Sequence, residues 1–458
     1  MSVIYSARWV LPIITPPIEN GGVVIEGDVI AAVGSVAELV ASFPESKVED
    51  FGQSAIIPGL INTHSHLELT VMRGFLEAEE TNFFAWLRKL TVARMAMTAE
   101  DLLVSAKCGA IEAARAGVTC LGDSSSVAVH TMNALQQVGL RGIVYQESFG
   151  PDPSLAQENV AHIRELMADN VARQTALVRA GISPHAPYTV SGPQLEMTAR
   201  LAIDENLPLM MHAAESAAER LFVTEGRGAF AEGLQKRGIE WRAPGVSTIQ
   251  YLKQKQILET KPLLAHCINV DDADLEMIRE SGASIAHCPK SNAKLRHGQA
   301  PFTQFIARGI KTGLGSDSVA SNNVCDIIEE ARFATLLSRL QSGGQPEVSA
   351  TDALFAATLG GARALNLDHQ VGALVNGKQA DLAIIDLSRT HQTPATNPAE
   401  TIVFSSSGRD VILTMVAGKE IYRANQVATA SEDELKDRLQ EVRVRIATEY
   451  DIANAAVR

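Results

Sequence analysis

The sequence predicts an α/β protein built on an eight-stranded parallel (β/α)8 barrel of the TIM type, with strand-rich segments before and after it. Three observations carry that prediction. Between residues 55 and 367, short apolar runs alternate with Ala-, Leu-, Glu- and Arg-rich helical stretches, the pattern of repeated βαβ units. Eight such runs can be counted, which suits a closed barrel better than an open doubly wound sheet. Six of the 11 histidines fall at or just past the ends of those runs, where such barrels keep their chemistry.

Residues 1–54 read as short strands. In Val23-Val24-Ile25-Glu26-Gly27-Asp28-Val29-Ile30 a Gly-Asp pair sits between β-branched flanks, which predicts a two-residue hairpin. The barrel strands are expected near 55–61, 118–122, 142–146, 177–182, 207–211, 262–265, 283–286 and 311–315. No GxGxxG follows the first of them, so a nucleotide-binding open sheet loses its usual support. From 368 to 430 the chain returns to strands. Residues 381–385 and 411–416 are apolar runs, and Ala417-Gly418-Lys419 turns the second into Glu420-Ile421-Tyr422. The charged, heptad-like tail from 431 to 458 predicts one amphipathic helix.

Forty Lys and Arg face 53 Asp and Glu, a net charge of −13. A nucleic-acid partner would need a basic footprint, so that class is excluded. A hydrophobic share of 46% excludes a disordered chain. The five cysteines (Cys108, Cys120, Cys267, Cys288, Cys325) are widely spaced with no CxxC, which points to reduced thiols and a cytoplasmic location. The N-terminal MSVIYSARWVLPII has no basic n-region or long apolar core, and no run approaches the roughly 18–20 apolar residues of a membrane helix. The expected partner is a small molecule, with neither nucleic acid nor membrane involved.

Asn62-Thr63-His64-Ser65-His66 places two imidazoles at i and i+2, on one face of an extended backbone, so both reach the same ion. His212 ends the strand at 207–211, and Asp317 follows the strand at 311–315. Three imidazoles and a carboxylate suit one Zn²⁺, with Fe²⁺ or Mn²⁺ as alternatives. Glu215, three residues past His212, is either a helix-start glutamate or the general acid/base of a hydrolase. His266 is placed to hydrogen-bond the attacking water or to serve as a further ligand. His287 is a helper or a packing residue. Cys267 and Cys288 follow histidines, but strand neighbours point to opposite faces, which argues against a Cys–His nucleophile. No lysine lies between Lys107 and Lys236; a bridging carboxylated lysine is therefore missing, and a mononuclear site is expected.

These residues form a combination that resembles the amidohydrolase superfamily. The matching stretches are Pro58–His66, His212-Ala213-Ala214-Glu215, Leu264-Ala265-His266-Cys267, Ala286–Asn292, Gly313–Asp317, Ser321-Asn322-Asn323, Val371–Leu374 and Gly377–Leu382. Within the superfamily the chain is most similar to the aminohydrolases: deaminases of S-adenosylhomocysteine and methylthioadenosine, guanine and cytosine deaminases, and triazine hydrolases. The resemblance implies a barrel at 55–367 and a β-sandwich made from 1–54 and 368–430. It further implies His64, His66, His212 and Asp317 as metal ligands, with Glu215 protonating a ring nitrogen. His266 and Asp317 would activate the water, His185 would contact substrate, and the assembly would be a homo-oligomer.

His66-Leu67-Glu68 and Phe83-Phe84-Ala85-Trp86-Leu87 resemble aminodeoxyfutalosine deaminases, which adds Glu68 and Trp86 as substrate contacts and favours an adenine-containing nucleoside. Phe83 and Phe84 fit a core role equally well. Ile268-Asn269 follows Cys267 where many members carry a second histidine. The stretch 216–261 is either a substrate wall or a helical insertion without catalytic consequence. The rival readings are hydrolysis of another heterocycle, including guanine, pterin, cytosine or a chlorinated triazine, and a non-catalytic relative. The last is disfavoured because every implied ligand and the acid are present.

Overall fold

The computed structural model describes residues 2–342, 347–428 and 432–455. Five strands open the chain: β1 (Ser2–Val10), β2 (Ile18–Glu26), β3 (Val29–Ser35), β4 (Lys47–Asp50) and β5 (Ser54–Pro58). A four-stranded parallel sheet follows, formed by β6 (Leu60–Ser65), β7 (Val118–Ser125), β8 (Arg141–Ser148) and β9 (Val178–Pro184). A second contains β10 (Met210–Ala213), β11 (Leu263–His266), β12 (Ser284–His287) and β13 (Lys311–Leu314). The last strands are β14 (Leu382–Asp386), β15 (Val411–Val416), β16 (Lys419–Arg423) and β17 (Gln426–Val427).

The eight parallel strands lie where the alternation of the sequence puts them, with ends shifted by a few residues. Every residue of β6, β7 and β8 is buried, as expected of parallel strands covered on both faces. The two sheets touch at both edges through isolated parallel bridges, Ser65 to Asp317 and Ile182 to Leu209. Connecting helices start and stop on local signals. Thr98 and Asp101 form a capping box at the start of helix Ala99–Arg115, and Gly139 ends helix Ala128–Val138 with φ +90°.

One expected strand divides in two. Residues 55–61 do not run as a unit: β5 belongs to the terminal sheet, and β6 begins the parallel one at Leu60. The break is at Gly59, whose N–H donates to Asp381 O while Leu60 N–H donates to Gly117 O. A side chain at 59 would collide with Thr119 at about 2.1 Å, so the apolar run must turn a corner there.

Strands from both ends of the chain join in one nine-stranded sheet of order β17-β16-β15-β14-β5-β1-β2-β3, with β4 also on β1. The seam is the antiparallel pair β5/β14, in register from Pro58↔Leu382 to Ser54↔Asp386. Val10, Val23, Ile56, Leu382 and Leu413 give this sheet its own apolar core. The hairpin at Gly27-Asp28 forms as expected, with Gly27 at φ +63°. The tail is the helix Glu432–Ala455; the expected helix positions 431 and 456–458 lie outside the described residues. Its Val442 and Ile446 pack with Leu69, Met72 and Trp86, so the C-terminus braces the start of the helix Phe83–Met95.

A buried ion pair couples the terminal sheet to β8. Arg141 Nε donates to Asp381 Oδ2 (2.9 Å) and Nη2 to Oδ1 (3.1 Å), while Ala417 N–H also donates to Oδ1 (2.8 Å). Removing one charge strands the other. Asp381→Asn should therefore cost about 3–5 kcal/mol of stability in equilibrium urea denaturation, with a loss under about 1 kcal/mol refuting this coupling.

Candidate active site

The C-terminal ends of β6, β9, β10, β11 and β13 meet at one point. His64 and His66 leave the same face of β6, with ring centroids 4.9 Å apart and planes at 82°. His212 on β10 lies 4.9 Å from His64 and 5.4 Å from His66 between ring centroids. Nitrogen atoms of these three rings fall within 4.8 Å of one another. His212 Nδ1 is turned to the carbonyl of His185 (2.9 Å), which leaves Nε2 facing His66 Nε2 at 3.3 Å. Asp317 Oδ1 faces His64 Nε2 at 3.5 Å and His66 Nε2 at 3.6 Å.

The donor set fits a divalent cation. Both ring nitrogens of His64 are buried without a hydrogen-bond partner, a costly state unless something accepts the lone pair. Three neutral imidazoles and one carboxylate around a common point are the ligands that Zn²⁺ and its neighbours take. Asp317 is held firmly in place. Its Oδ2 accepts from Ser291 Oγ (2.5 Å) and Ser321 Oγ (2.9 Å), and Oδ1 accepts from Ser318 N–H (2.7 Å). Ala214, His266, Cys267 and Asp317 all have positive φ, from 47° to 74°; such strain collects at functional sites.

Electrostatics keep the rings neutral and the acids charged. Burial lowers His64 and takes His212 well below its ordinary value; it takes His66 to about 3 and His185 to about 4. Burial pushes Asp317 up, but its hydrogen-bond and electrostatic interactions with His64, and its electrostatic interactions with His266 and His66, outweigh this and hold it well below the usual carboxylate range. Glu215 behaves alike: burial raises it, yet His266 and His297 bring it to about 2. Burial instead raises Cys267 and Cys288, so both thiols stay protonated and inert.

Glu215 is placed by its neighbours on three sides. Its backbone N–H and that of Ala214 donate to Glu219 (2.9 and 2.8 Å), whose carboxylate also accepts from Thr248 Oγ1 (3.1 Å). Tyr188 Oη donates to Glu215 Oε2 (3.3 Å), and Oε1 faces His266 Nε2 at 3.7 Å and His297 Nδ1 at 3.4 Å. His266 Nδ1 is fixed by Asn292 Oδ1 at 2.9 Å.

The cluster forms the floor of a cavity of about 510 Å³, in the range that takes a small-molecule ligand. Its wall is mostly apolar and includes Leu69, Phe83, Trp86, Leu87, Tyr188, Phe230 and Leu234. Phe230 stacks on Tyr188 (4.0 Å) and meets the edges of Phe83 and Phe84 at 6.3 and 6.1 Å. Part of the 216–261 stretch is therefore a cavity wall: helix Ala229–Lys236 supplies Phe230, Gly233 and Leu234.

The same arrangement has relatives. The sequence profile of the amidohydrolase family matches residues 55–421, most of the chain. The chain belongs to the amidohydrolase family. A short stretch, 21–45, also matches a bacterial imidazolonepropionase-like composite domain. The 5-methylthioadenosine/S-adenosylhomocysteine deaminase 1 of Syntrophus aciditrophicus is 30% identical over 434 residues, covering 94% of this chain and 93% of that protein. The 5'-deoxyadenosine deaminase of Methanothermobacter thermautotrophicus is 30% identical over 419 residues, covering 91% and 92%. Among solved structures, an adenosine deaminase from Xanthomonas campestris with bound zinc superposes with a TM-score of 0.85 at 26% identity, covering 97% of this chain and 98% of that one.

In this amidohydrolase the structure brings together nearly all the residues singled out from sequence. His64, His66, His212, Asp317, Glu215 and His266 lie together, and His185, Glu68 and Trp86 line the cavity above them. Glu68 is buried, with Oε2 accepting from Ser125 Oγ (2.6 Å) and Oε1 from Ser126 Oγ (2.5 Å). His287 does not join the site. It stacks on Phe302 at 4.8 Å, facing the helix Phe302–Ala307, so the convergence of six strand-end histidines reduces to five. In exchange His297, which is not one of the six strand-end histidines, reaches Glu215. Tyr188, Glu219 and Glu147 were likewise not singled out. Glu147 is raised to about 8, chiefly by burial, and forms a second close triad with His185 and His212.

Burial of neutral imidazoles fixes a pH dependence. The unfolded chain takes up protons at His66 and His185 near 6.5, whereas the folded chain does so only near 3 and 4. Stability is then full above pH 6.5 and falls as the pH drops from 6.5 towards 4, by about 1.4 kcal/mol per unit for each ring. Urea denaturation of the metal-free protein across that window should show this slope, and His185→Gln should reduce it.

Proposed function

We propose that this amidohydrolase is a metal-dependent deaminase of an adenine-containing nucleoside, of the adenosine, methylthioadenosine, S-adenosylhomocysteine or aminodeoxyfutalosine type, releasing ammonia. The observation that carries this reading is Glu215, a buried carboxylate set beside the His64/His66/His212/Asp317 cluster on the floor of an aromatic-walled cavity. The adenine nucleosides named for the relatives support the choice of ring. One divalent ion, preferably zinc and with iron as the alternative, would be held by those four side chains. Bound there, it supplies a water of lowered pKa as the nucleophile.

The protein groups do the rest. His266 has Nδ1 turned to Asn292, so its Nε2 lone pair faces the floor and accepts a proton from the attacking water, together with Asp317. Glu215, charged in the free site, takes one proton from the attacking water and gives it to the ring nitrogen next to the amino-bearing carbon, so negative charge does not accumulate there as the new bond forms. The second water proton, taken up by His266 and Asp317, passes to the departing amine, and ammonia leaves. His185, Glu68 and Trp86 are assigned to substrate binding: Trp86 offers an aromatic face, and Glu68 and His185 offer polar atoms above the floor.

The same reading extends to the frame. The two parallel sheets are taken as one closed (β/α)8 barrel over residues 55–367. This is supported by the two edge bridges and by Asp317 N–H to His64 O (2.9 Å) and Ile182 N–H to Pro208 O (2.9 Å). Segments 1–54 and 368–430 are assigned to a small β-sandwich domain and 431–458 to a terminal helix. No helix among the described residues is long and apolar enough to cross a membrane, and all five cysteines are free thiols; a cytoplasmic homo-oligomer is consistent with both.

Purified, zinc-loaded protein should release ammonia from adenosine-type nucleosides, with loss of the adenine absorbance. Preferential release of ammonia from guanine or a pterin, or of chloride from a triazine, would move the assignment to the rival heterocycles. Glu215→Gln should keep full metal content by elemental analysis while turnover drops about 10²- to 10⁴-fold. Near-normal turnover in that variant would remove Glu215 from the proton path.

A further inference from the structure

One short stretch of chain, the helix Pro289–Lys294 and the turn after it, touches three different groups of the site. Ser291 Oγ donates to Asp317 Oδ2 (2.5 Å), Asn292 Oδ1 accepts from His266 Nδ1 (2.9 Å), and His297 Nδ1 faces Glu215 Oε1 at 3.4 Å. The reaction described above gives the first two contacts a purpose and leaves the third without one. The His297 side chain is only 5% exposed and stands edge-on to Phe83, ring centroids 4.4 Å apart. Neither of its ring nitrogens makes a hydrogen bond to any described group. Keeping a polar ring in such a place costs on the order of 1–3 kcal/mol, and among the described residues Glu215 is the one carboxylate that comes within ion-pair distance of it.

The backbone is built to put the ring there. Arg296 and Gly298, on either side, have φ +56° and +109°, and His297 N–H donates to Asn292 O at 3.0 Å. The residue that orients His266 therefore also anchors His297. A contact of 3.4 Å is long for a hydrogen bond, but such contacts in ligand-free sites tighten when substrate is bound.

We propose that His297 is a positioning residue that acts through Glu215. Its Nδ1–H fixes Oε1 between two imidazoles, His266 at 3.7 Å and His297 at 3.4 Å, while Tyr188 Oη holds Oε2 at 3.3 Å. The carboxylate cannot rotate away from the proton it must carry. Glu215 is the group that gains and loses a proton. This inference rests on Glu215 as the proton carrier.

The test uses metal-loaded His297→Ala, His297→Phe and His297→Asn proteins, each combined with and without Glu215→Gln, and the nucleoside that the parent protein deaminates. His297→Ala and His297→Phe should lower kcat about 10- to 100-fold with KM within about threefold and metal content unchanged. His297→Asn, whose side-chain N–H restores a donor near the Nδ1 position, should recover at least about tenfold of that loss. In the Glu215→Gln background, removal of the His297 ring should cost almost nothing further. Wild-type kcat in His297→Ala, no recovery in His297→Asn, or full additivity with Glu215→Gln would each overturn the proposal. A crystal structure of His297→Phe gives an arm independent of activity. The Glu215 carboxylate should leave His266, and an unmoved carboxylate overturns the proposal even if the parent protein deaminates no nucleoside, a result that by itself overturns the functional reading instead.

Discussion

Desolvation of several imidazoles at one point is the constraint on which the rest of the structure turns. His64, His66, His212 and His266 are buried together at strand ends, and His66 is held at about 3 by that burial. Each pKa unit corresponds to about 1.4 kcal/mol, so placing a proton on His66 in the folded state at neutral pH is disfavoured by several kcal/mol. His64, His66 and His212 stay neutral and present lone pairs to a shared centre. Only short strands closely packed on both faces can hold four rings so near one another, because looser loops would let them drift into solvent and protonate. The apolar strands and their Ala-rich helices are in this sense the dielectric of the site as well as its scaffold.

The carboxylates are controlled by different means. Asp317 and Glu215 remain charged although buried, because serine hydroxyls, backbone N–H groups and imidazoles surround them. Their carrier loops are bent into left-handed backbone at Ala214 and Asp317, conformations that cost about 1–3 kcal/mol each. Glu219 sustains the first of these, since its carboxylate receives the N–H groups of Ala214 and Glu215 and also the hydroxyl of Thr248. Through Thr248 the insertion that forms the cavity wall is tied to the backbone of Glu215. The insertion therefore both shapes the cavity and fixes the backbone beneath it.

What the sequence made legible follows from period-2 geometry. The HxH pair at His64 and His66 was readable because extended residues two apart share a face. The same rule exposes the errors. Ala265 and Ala286 both belong to the apolar interior shared with Ile61, Ile143 and Met210, so their successors His266 and His287 should both point outward. His287 obeys and stacks on Phe302. His266 escapes because its backbone turns to φ +74° and swings the ring back to the mouth, a conformation that residue spacing does not reveal. His297 was hidden for a related reason: it follows a helix, so distance from the strand end carried no information about where its ring would land. The corner at Gly59 was hidden too, because an apolar run reads alike whether it feeds one sheet or two.

Selectivity should arise above the floor, where polar groups are few and aromatic rings many. The cavity wall is shared between two helices far apart in sequence, Phe83–Met95 and Ala229–Lys236, which meet through Phe83, Phe84 and Phe230. An apolar wall binds any flat heterocycle by area and discriminates poorly among them. Orientation must come from the few polar atoms that converge on the ring edge, because an analogue lacking the matching group leaves buried partners unpaired. Tyr188 belongs to both sets: its ring stacks on Phe230 while its hydroxyl holds Glu215. Phe230 in the wall is therefore joined to Glu215 on the floor through one side chain. The helix Glu432–Ala455 bears on the same link from outside. By packing Val442 and Ile446 into the cluster that holds Trp86, it backs the Phe83–Met95 helix.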